Sequence, residues 1–199
     1  MVRKLNQKLY EALKNNHNTI TTKEFMALGY SRTMLSKYEK QGILQRIRRG
    51  VYILADSTHD DLYTVSLISN NLVFSHETAL FLNGLSDRTP FMHSITIPTK
   101  TTIPQSLKDE CAFYYIKPEL YSVGIIEKKT TFGNTVKCYN AERTICDILR
   151  SRNRLDEETV IGGIRNYANS TEKDLNLLAK YAKLFRVWNL LKRYMEVLL

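Results

Sequence analysis

The chain has 199 residues, 43% apolar and 25% charged, and carries a net charge of +9. This composition fits one large or two small globular domains and excludes general disorder, and no apolar run approaches the ~18 residues needed to cross a bilayer. The opening MVRKLNQKLYEAL is too polar for a signal peptide, and Cys111, Cys138 and Cys146 are odd in number without C-x-x-C spacing, which leaves a cytoplasmic protein with reduced thiols and neither a disulfide framework nor a zinc site as the expectation.

The charge is concentrated at one end. Residues 1–55 hold eleven Lys and Arg against three Glu, a net of +8, and the rest of the chain supplies only +1. Such asymmetry points to a polyanion meeting the N-terminal quarter. A basic face that merely keeps the protein in solution is the plainer alternative.

Leu5, Leu9, Ala12 and Leu13 fall at helical spacing, which predicts an amphipathic helix ending near Asn15-Asn16-His17-Asn18. A second helix is predicted from Thr21-Thr22-Lys23-Glu24, a capping-box pattern, to a stop at Gly29. The third has Ser31 as N-cap, Tyr30 and Leu35 as a hydrophobic staple, and Gly42 at its close. Its inward face is Leu35 and Tyr38 with Met34 beside them, and its outward face is Arg32, Thr33, Ser36, Lys37 and Lys40. Arginine reads guanine edges bidentately, while hydroxyls and lysines suit phosphates or bases, so this face has the chemistry of a recognition helix. In GILQRIRRGVYIL, Leu44 to Arg48 and Val51 to Leu54 are predicted to pair across Arg49 and Gly50, with apolar residues toward the helices. Arg46, Arg48 and Arg49 would then project toward a phosphate backbone or minor groove. Helix, helix and basic hairpin together predict a winged helix-turn-helix over residues 1–55.

The polar run Ala55-Asp56-Ser57-Thr58-His59-Asp60-Asp61 reads as a linker to a second domain at 60–199. There Leu62, Val65, Leu67 and Ile68 suggest a helix, Leu72-Val73-Phe74 a strand, and Ser75 the cap of a helix through Leu82. Ser94 to Pro98 and Phe113 to Ile116 are predicted strands, and Gly124 to Lys129 with Thr135 to Tyr139 a hairpin. Asn140 caps a helix over Ala141 to Arg150, another covers Asp156 to Ala168, and Ser170-Thr171 begins a long helical stretch carrying Leu175, Leu178, Ala182 and Phe185, continued by Trp188, Leu191, Met195 and Leu198. The fold class expected is α+β: a winged helix-turn-helix, then a mixed α+β domain with a helical C-terminus.

Catalytic signals are weak. Ser75-His76-Glu77 fails the H-E-x-x-H zinc pattern because position 80 is Leu, and Glu77 reads as a first-turn carboxylate favouring the helix dipole or pairing with a base such as Arg143. Glu142, Asp147 and Asp87 could form a nuclease-type carboxylate cluster, but the accompanying lysine spacing is missing. There is no G-x-G-x-x-G and no P-loop, so neither a cofactor nor a metal is expected, and the chain is not read as an enzyme.

In order along the chain, RRGVYIL, SHETALFLNGLSDRTP, SITIP and YNAERTICDILR resemble the AbiEi family, the antitoxins of type IV abortive-infection toxin-antitoxin systems that act in phage defence. The resemblance runs over about residues 3–199. It implies a bacterial protein whose winged helix binds inverted repeats in its own promoter and represses the operon, which would place it on the nucleoid at its operator. It also implies a C-terminal domain that counters a co-encoded AbiEii toxin, a nucleotidyltransferase-like protein, without a stable complex. DNA binding then falls to Ser31, Arg32, Thr33, Ser36, Lys37 and Lys40, with Arg46, Arg48 and Arg49 in the wing. No dimerisation stripe is visible, which suits monomers on separate half-sites. Two other classes stay open: a plain repressor whose second domain senses a ligand or dimerises, and an enzyme delivered to DNA by the winged helix.

Overall fold

Asn6 starts the first helix, α1 (Gln7–Asn15), by accepting a hydrogen bond from the Lys8 amide through its side chain. After it comes a strand that the sequence did not announce, β1 (Thr19–Thr21), whose three residues are too few to show a period. Thr21 then closes a full capping box on α2 (Thr22–Ala27): its hydroxyl accepts from Glu24 N at 3.2 Å, and the Glu24 carboxylate accepts from Thr21 N at 2.8 Å. In α3 (Arg32–Lys40) the Ser31 hydroxyl accepts from Met34 N at 3.2 Å, as its N-cap position requires. Leu35 and Tyr38 of α3 join Leu9, Leu13, Ile20 and Phe25 in one core.

Strands β2 (Leu44–Arg48) and β3 (Val51–Leu54) pair antiparallel, and β1 completes a three-stranded sheet of order β1-β3-β2. The turn between β2 and β3 uses Gly50 at φ +80°, a conformation open to glycine at little cost. Leu44 and Tyr52 close the helical core from the sheet. The fold is therefore a winged helix-turn-helix at the N-terminus of an α+β chain.

In this computed structural model, which describes residues 5–198, the chain forms two compact units. The first runs to residue 70 and includes 104–107 and 129–135; the second takes residues 71–103, 108–128 and those from 136 on. Part of the polar run after the wing is thus structured. Asp60 caps α4 (Asp61–Ser66) by accepting from Tyr63 N at 3.2 Å, and its other oxygen accepts from Asn134 Nδ2 at 2.8 Å and from the Thr130 hydroxyl.

The second unit contains β4 (Val73–Phe74), α5 (His76–Leu82), β5 (His93–Pro98), β6 (Cys111–Ile116), the short α6 (Pro118–Tyr121), and, apart from their end residues Lys129 and Thr135, β7 (Ile125–Lys129) and β8 (Thr135–Tyr139). Its mixed sheet has the order β6-β5-β4-β8-β7, with β4 antiparallel to β5 and parallel to β8, and β5 parallel to β6. Helices α7 (Ala141–Arg150), α8 (Glu157–Asn169), α9 (Leu175–Leu184) and α10 (Trp188–Leu198) complete it. Leu80, Ile145, Ile148, Ile164, Leu178 and Leu191 are its apolar centre. Gly124, at φ +78°, passes so close to α7 that a Cβ there would lie 2.8 Å from Arg143 Cβ.

Three expectations need correction. The long C-terminal helical stretch does not begin at Ser170-Thr171, because Ser170 is the C-cap of α8 and Asp174 caps α9 instead. Nor is that stretch continuous: Arg186 adopts φ +59°, and Val187 N bonds back to Ala182 O at 2.8 Å, which ends α9 before α10 starts. Apolar spacing runs across the break because Val187 and Leu191 are buried in the same core as Leu178 and Ala182. Finally, Ser75 occupies the N-cap position of α5 but makes no side-chain capping bond.

Candidate nucleic-acid interface

The outward face of α3 is built as its spacing requires. Ser31, Arg32, Thr33, Ser36, Lys37 and Lys40 are all exposed, while Leu35 and Tyr38 are buried. At ~100° per residue, the five helical positions among them cover an arc of about 140°.

The wing distributes its arginines differently from one another, and a β-bulge is the cause. Arg46 pairs with Tyr52, but the register then slips, so that Arg48 pairs with Val51. Without the slip, residues 46 and 48 would share a face. With it, Arg46 stands on the Tyr52 side, toward the helices, and Arg48 on the other. Arg46 and Arg49 are exposed. The Arg48 side chain is only 8% exposed and forms an ion pair with Asp61, and its Nε donates to Thr64 Oγ1 at 3.4 Å.

Helix and wing meet in a cleft of about 980 Å³ lined by Arg32, Ser36 and Glu39 of α3 and by Arg46, Arg49 and Tyr52 of the sheet. Three guanidinium groups on a concave wall form a positive surface suited to a phosphate backbone. Glu39 opposes them. Gln105 and Ser106, more than fifty residues beyond the wing, also line this cleft, and nothing in the sequence signalled their arrival there.

The carboxylate cluster considered from sequence does not form. Arg143 is completely buried and pairs with Asp147 at 2.9 Å rather than with Glu77, and it donates to the carbonyls of Leu120 and Val123 at 2.9 Å each. Its guanidinium lies between the rings of Tyr139 and Phe185, 4.1 and 3.9 Å from their centroids. Glu142 accepts instead from the Tyr167 hydroxyl at 3.1 Å and from Asp174 N at 3.2 Å. Glu77 faces the Ser94 hydroxyl at 3.4 Å, and burial pushes its carboxyl above the ordinary range, with Asp156 adding to the rise. Among the described residues no group of three or more His, Cys, Asp or Glu could hold a metal ion.

His76 has a more elaborate setting than its sequence context suggested. Its Nδ1 lies 2.9 Å from Ser75 Oγ and its Nε2 2.9 Å from Ser151 Oγ, and its ring stacks on Tyr114 with centroids 3.4 Å apart. Burial, reinforced by Arg150, Arg154 and Arg143, holds its pKa well below the usual imidazole value. Cys111, Cys138 and Cys146 are all buried as free thiols, and burial raises Cys138 and Cys146 to about 12.

Helices α2 and α3 beside the basic hairpin β2–β3, followed by a second α+β unit, place the chain in the class of winged helix-turn-helix folds. Residues 7–55, about a quarter of the chain, match the model of the family described as "Transcriptional regulator, AbiEi antitoxin". The fold is similar to the crystal structure of the RV2827C protein from Mycobacterium tuberculosis, with a TM-score of 0.62 at 12% identity over 98% of this chain and 82% of that one. No curated protein sequence matches the chain. Among the described residues no helix is long and apolar enough to cross a membrane.

Proposed function

We propose that the protein is the antitoxin of a type IV toxin-antitoxin pair, that its winged helix binds inverted repeats in its own promoter to repress the operon, and that its second unit counters a co-encoded nucleotidyltransferase-like toxin without holding it in a stable complex. The observation that carries the DNA half is the convergence of Arg32 and Ser36 with Arg46 and Arg49 on one cleft. Arg32, Thr33, Ser36, Lys37 and Lys40 would enter the major groove, with the Ser31 end of α3 leading, and Arg46 and Arg49 would hold the flanking backbone. In this reading Arg48 anchors the wing rather than touching DNA. The protein acts in the cytoplasm, on the nucleoid at its operator.

The test uses the full chain, because a cut after residue 55 would separate Arg48 from Asp61 and Thr64. Bacteria expressing the neighbouring open reading frame are grown with the parent protein or with a variant carrying Arg32→Ala, Lys37→Ala and Arg49→Ala. Toxicity relieved by both proteins, with promoter binding lost only in the variant, is the expected result. A neighbour that is not toxic, or toxicity that the parent fails to relieve, would overturn the antitoxin reading and leave a plain repressor.

A further inference from the structure

The second unit holds a basic cleft of its own. Five cations, Arg150, Arg152, Lys183, Arg186 and Arg193, line a space of about 690 Å³ together with Trp188, and no Asp or Glu is among its described lining residues. They come from three places: Arg150 and Arg152 from the C-terminal end of α7 and the turn after it, Lys183 and Arg186 from the last turn of α9 and the turn that closes it, and Arg193 from the first two turns of α10. All five are exposed. Arg150 lies 3.7 Å from Asp147, whose charge is already engaged by Arg143, and Lys183, Arg186 and Arg193 have no ion-pair partner among the described residues. Concentrated like charges of this kind repel one another and are relieved by an anion.

Arg186 breaks a local rule at this site. It occupies the left-handed position that closes α9, with its N bonded to Lys183 O at 3.2 Å and Val187 N bonded to Ala182 O at 2.8 Å. That position ordinarily takes glycine or asparagine, because a Cβ is disfavoured there. An arginine retained at a glycine position directs attention to its side chain. Trp188 supplies the other half of the chemistry. Its indole is 38% exposed, with Lys183 Nζ 5.4 Å from the ring centroid. Cations tracking a backbone beside an exposed aromatic ring make the arrangement that binds single strands, whose unpaired bases can stack; a duplex offers no free base face to an indole.

We infer that this cleft binds single-stranded nucleic acid, with the five cations on successive phosphates and Trp188 stacked on a base. The site is independent of the winged helix, which serves duplex DNA. Trp188 is the sole tryptophan of the chain, so its fluorescence reports on the surface around this one residue.

The experiment is a fluorescence titration of the full-length protein with oligothymidine of about ten nucleotides, repeated over a range of salt. Quenching is expected, with a log–log salt slope that becomes less negative by about 0.7 for each phosphate contact removed. Arg186→Gly relieves the backbone strain, so it should keep or raise the thermal midpoint while flattening that slope, and adding Arg193→Ala should weaken binding at least tenfold. Arg32→Ala in α3 should leave the titration unchanged. The proposal is overturned if oligothymidine causes no quenching, if thymidine monophosphate binds as tightly as the oligomer, if duplex DNA of equal length quenches more strongly, or if the folded double variant binds like the parent.

Discussion

Arg48 donates through Nη2 to the Asp61 carboxylate, and this pair joins the wing to the start of α4. The arginine is nearly buried, whereas Asp61 is 45% exposed. Removing the arginine leaves a carboxylate that water can still reach, but it strips the Thr64 hydroxyl of a donor and opens a gap behind Val51. Arg48→Ala should therefore lower stability by about 2 kcal/mol, the range for losing a partly buried charged hydrogen bond. Arg49→Ala, on the open turn, should shift it by less than about 0.5 kcal/mol. Chemical denaturation of the two variants checks this, and equal midpoints would remove Arg48 from its anchoring role.

DNA binding should divide the same residues the other way. Lys37→Ala and Arg49→Ala should each reduce the log–log salt slope by about one unit while weakening operator and unrelated DNA alike. Arg32→Ala, at the leading end of α3, should cost about 1–3 kcal/mol on the operator only, relaxing discrimination. Glu39→Gln removes the one carboxylate facing Arg32, Arg46 and Arg49 and should tighten binding to all sequences. A salt titration of each variant on both DNAs reads these outcomes, and an Arg48→Ala slope matching the Arg49→Ala slope would return Arg48 to the DNA surface.

The three helices and the hairpin of the N-terminal unit were legible because their signals are local. Thr21 with Glu24, Ser31, and the Gly50 turn each act within a few residues, and the structure shows each in the role its chemistry implies. The bulge between Arg46 and Arg48 was not legible. Alternation assigns both arginines to one face, and only the pairing with Val51 reveals the slip. In the second unit the missed features are long-range: Ser151 reaching His76, Asp147 claiming Arg143 from Glu77, and five cations from three helix ends meeting near Trp188. Charge counting gave the region after residue 55 a net of only +1, because counting along the chain averages over surfaces that folding separates.

His76 predicts an acid sensitivity. Its pKa in the folded protein lies well below the ordinary 6.5, chiefly through burial, so on acidification the unfolded chain takes up a proton that the folded one refuses. The contribution to stability is complete above pH 6.5 and is lost as pH falls from there toward the lower folded value, at up to about 1.4 kcal/mol per pH unit. His76→Asn tolerates the φ of +46° at this position and cannot titrate. Its stability will be lower throughout, since the Ser151 bond and the Tyr114 stack are lost. The diagnostic is the slope: unfolding free energy measured between pH 7.5 and 5 should fall less steeply in the variant, and parallel curves would mean that another group governs the acid limb.

Two adjacent glycines in α8 give opposite expectations. A Cβ on Gly163 would lie 3.0 and 3.1 Å from the two methyl carbons of Leu80 and 3.2 Å from Ile148 Cδ1, so α8 packs against α5 and α7 through a bare backbone at that point. Gly163→Ala must push apart side chains that are themselves completely buried, and should destabilise by about 1–3 kcal/mol. Gly162 has no neighbouring atom within 4 Å of such a Cβ and no unusual φ. Gly162→Ala should stabilise by about 0.5–1 kcal/mol through helix propensity alone. The same substitution one residue apart separates packing from propensity, and thermal melts of the two variants moving in the same direction would show that α8 is not seated on Leu80 as described.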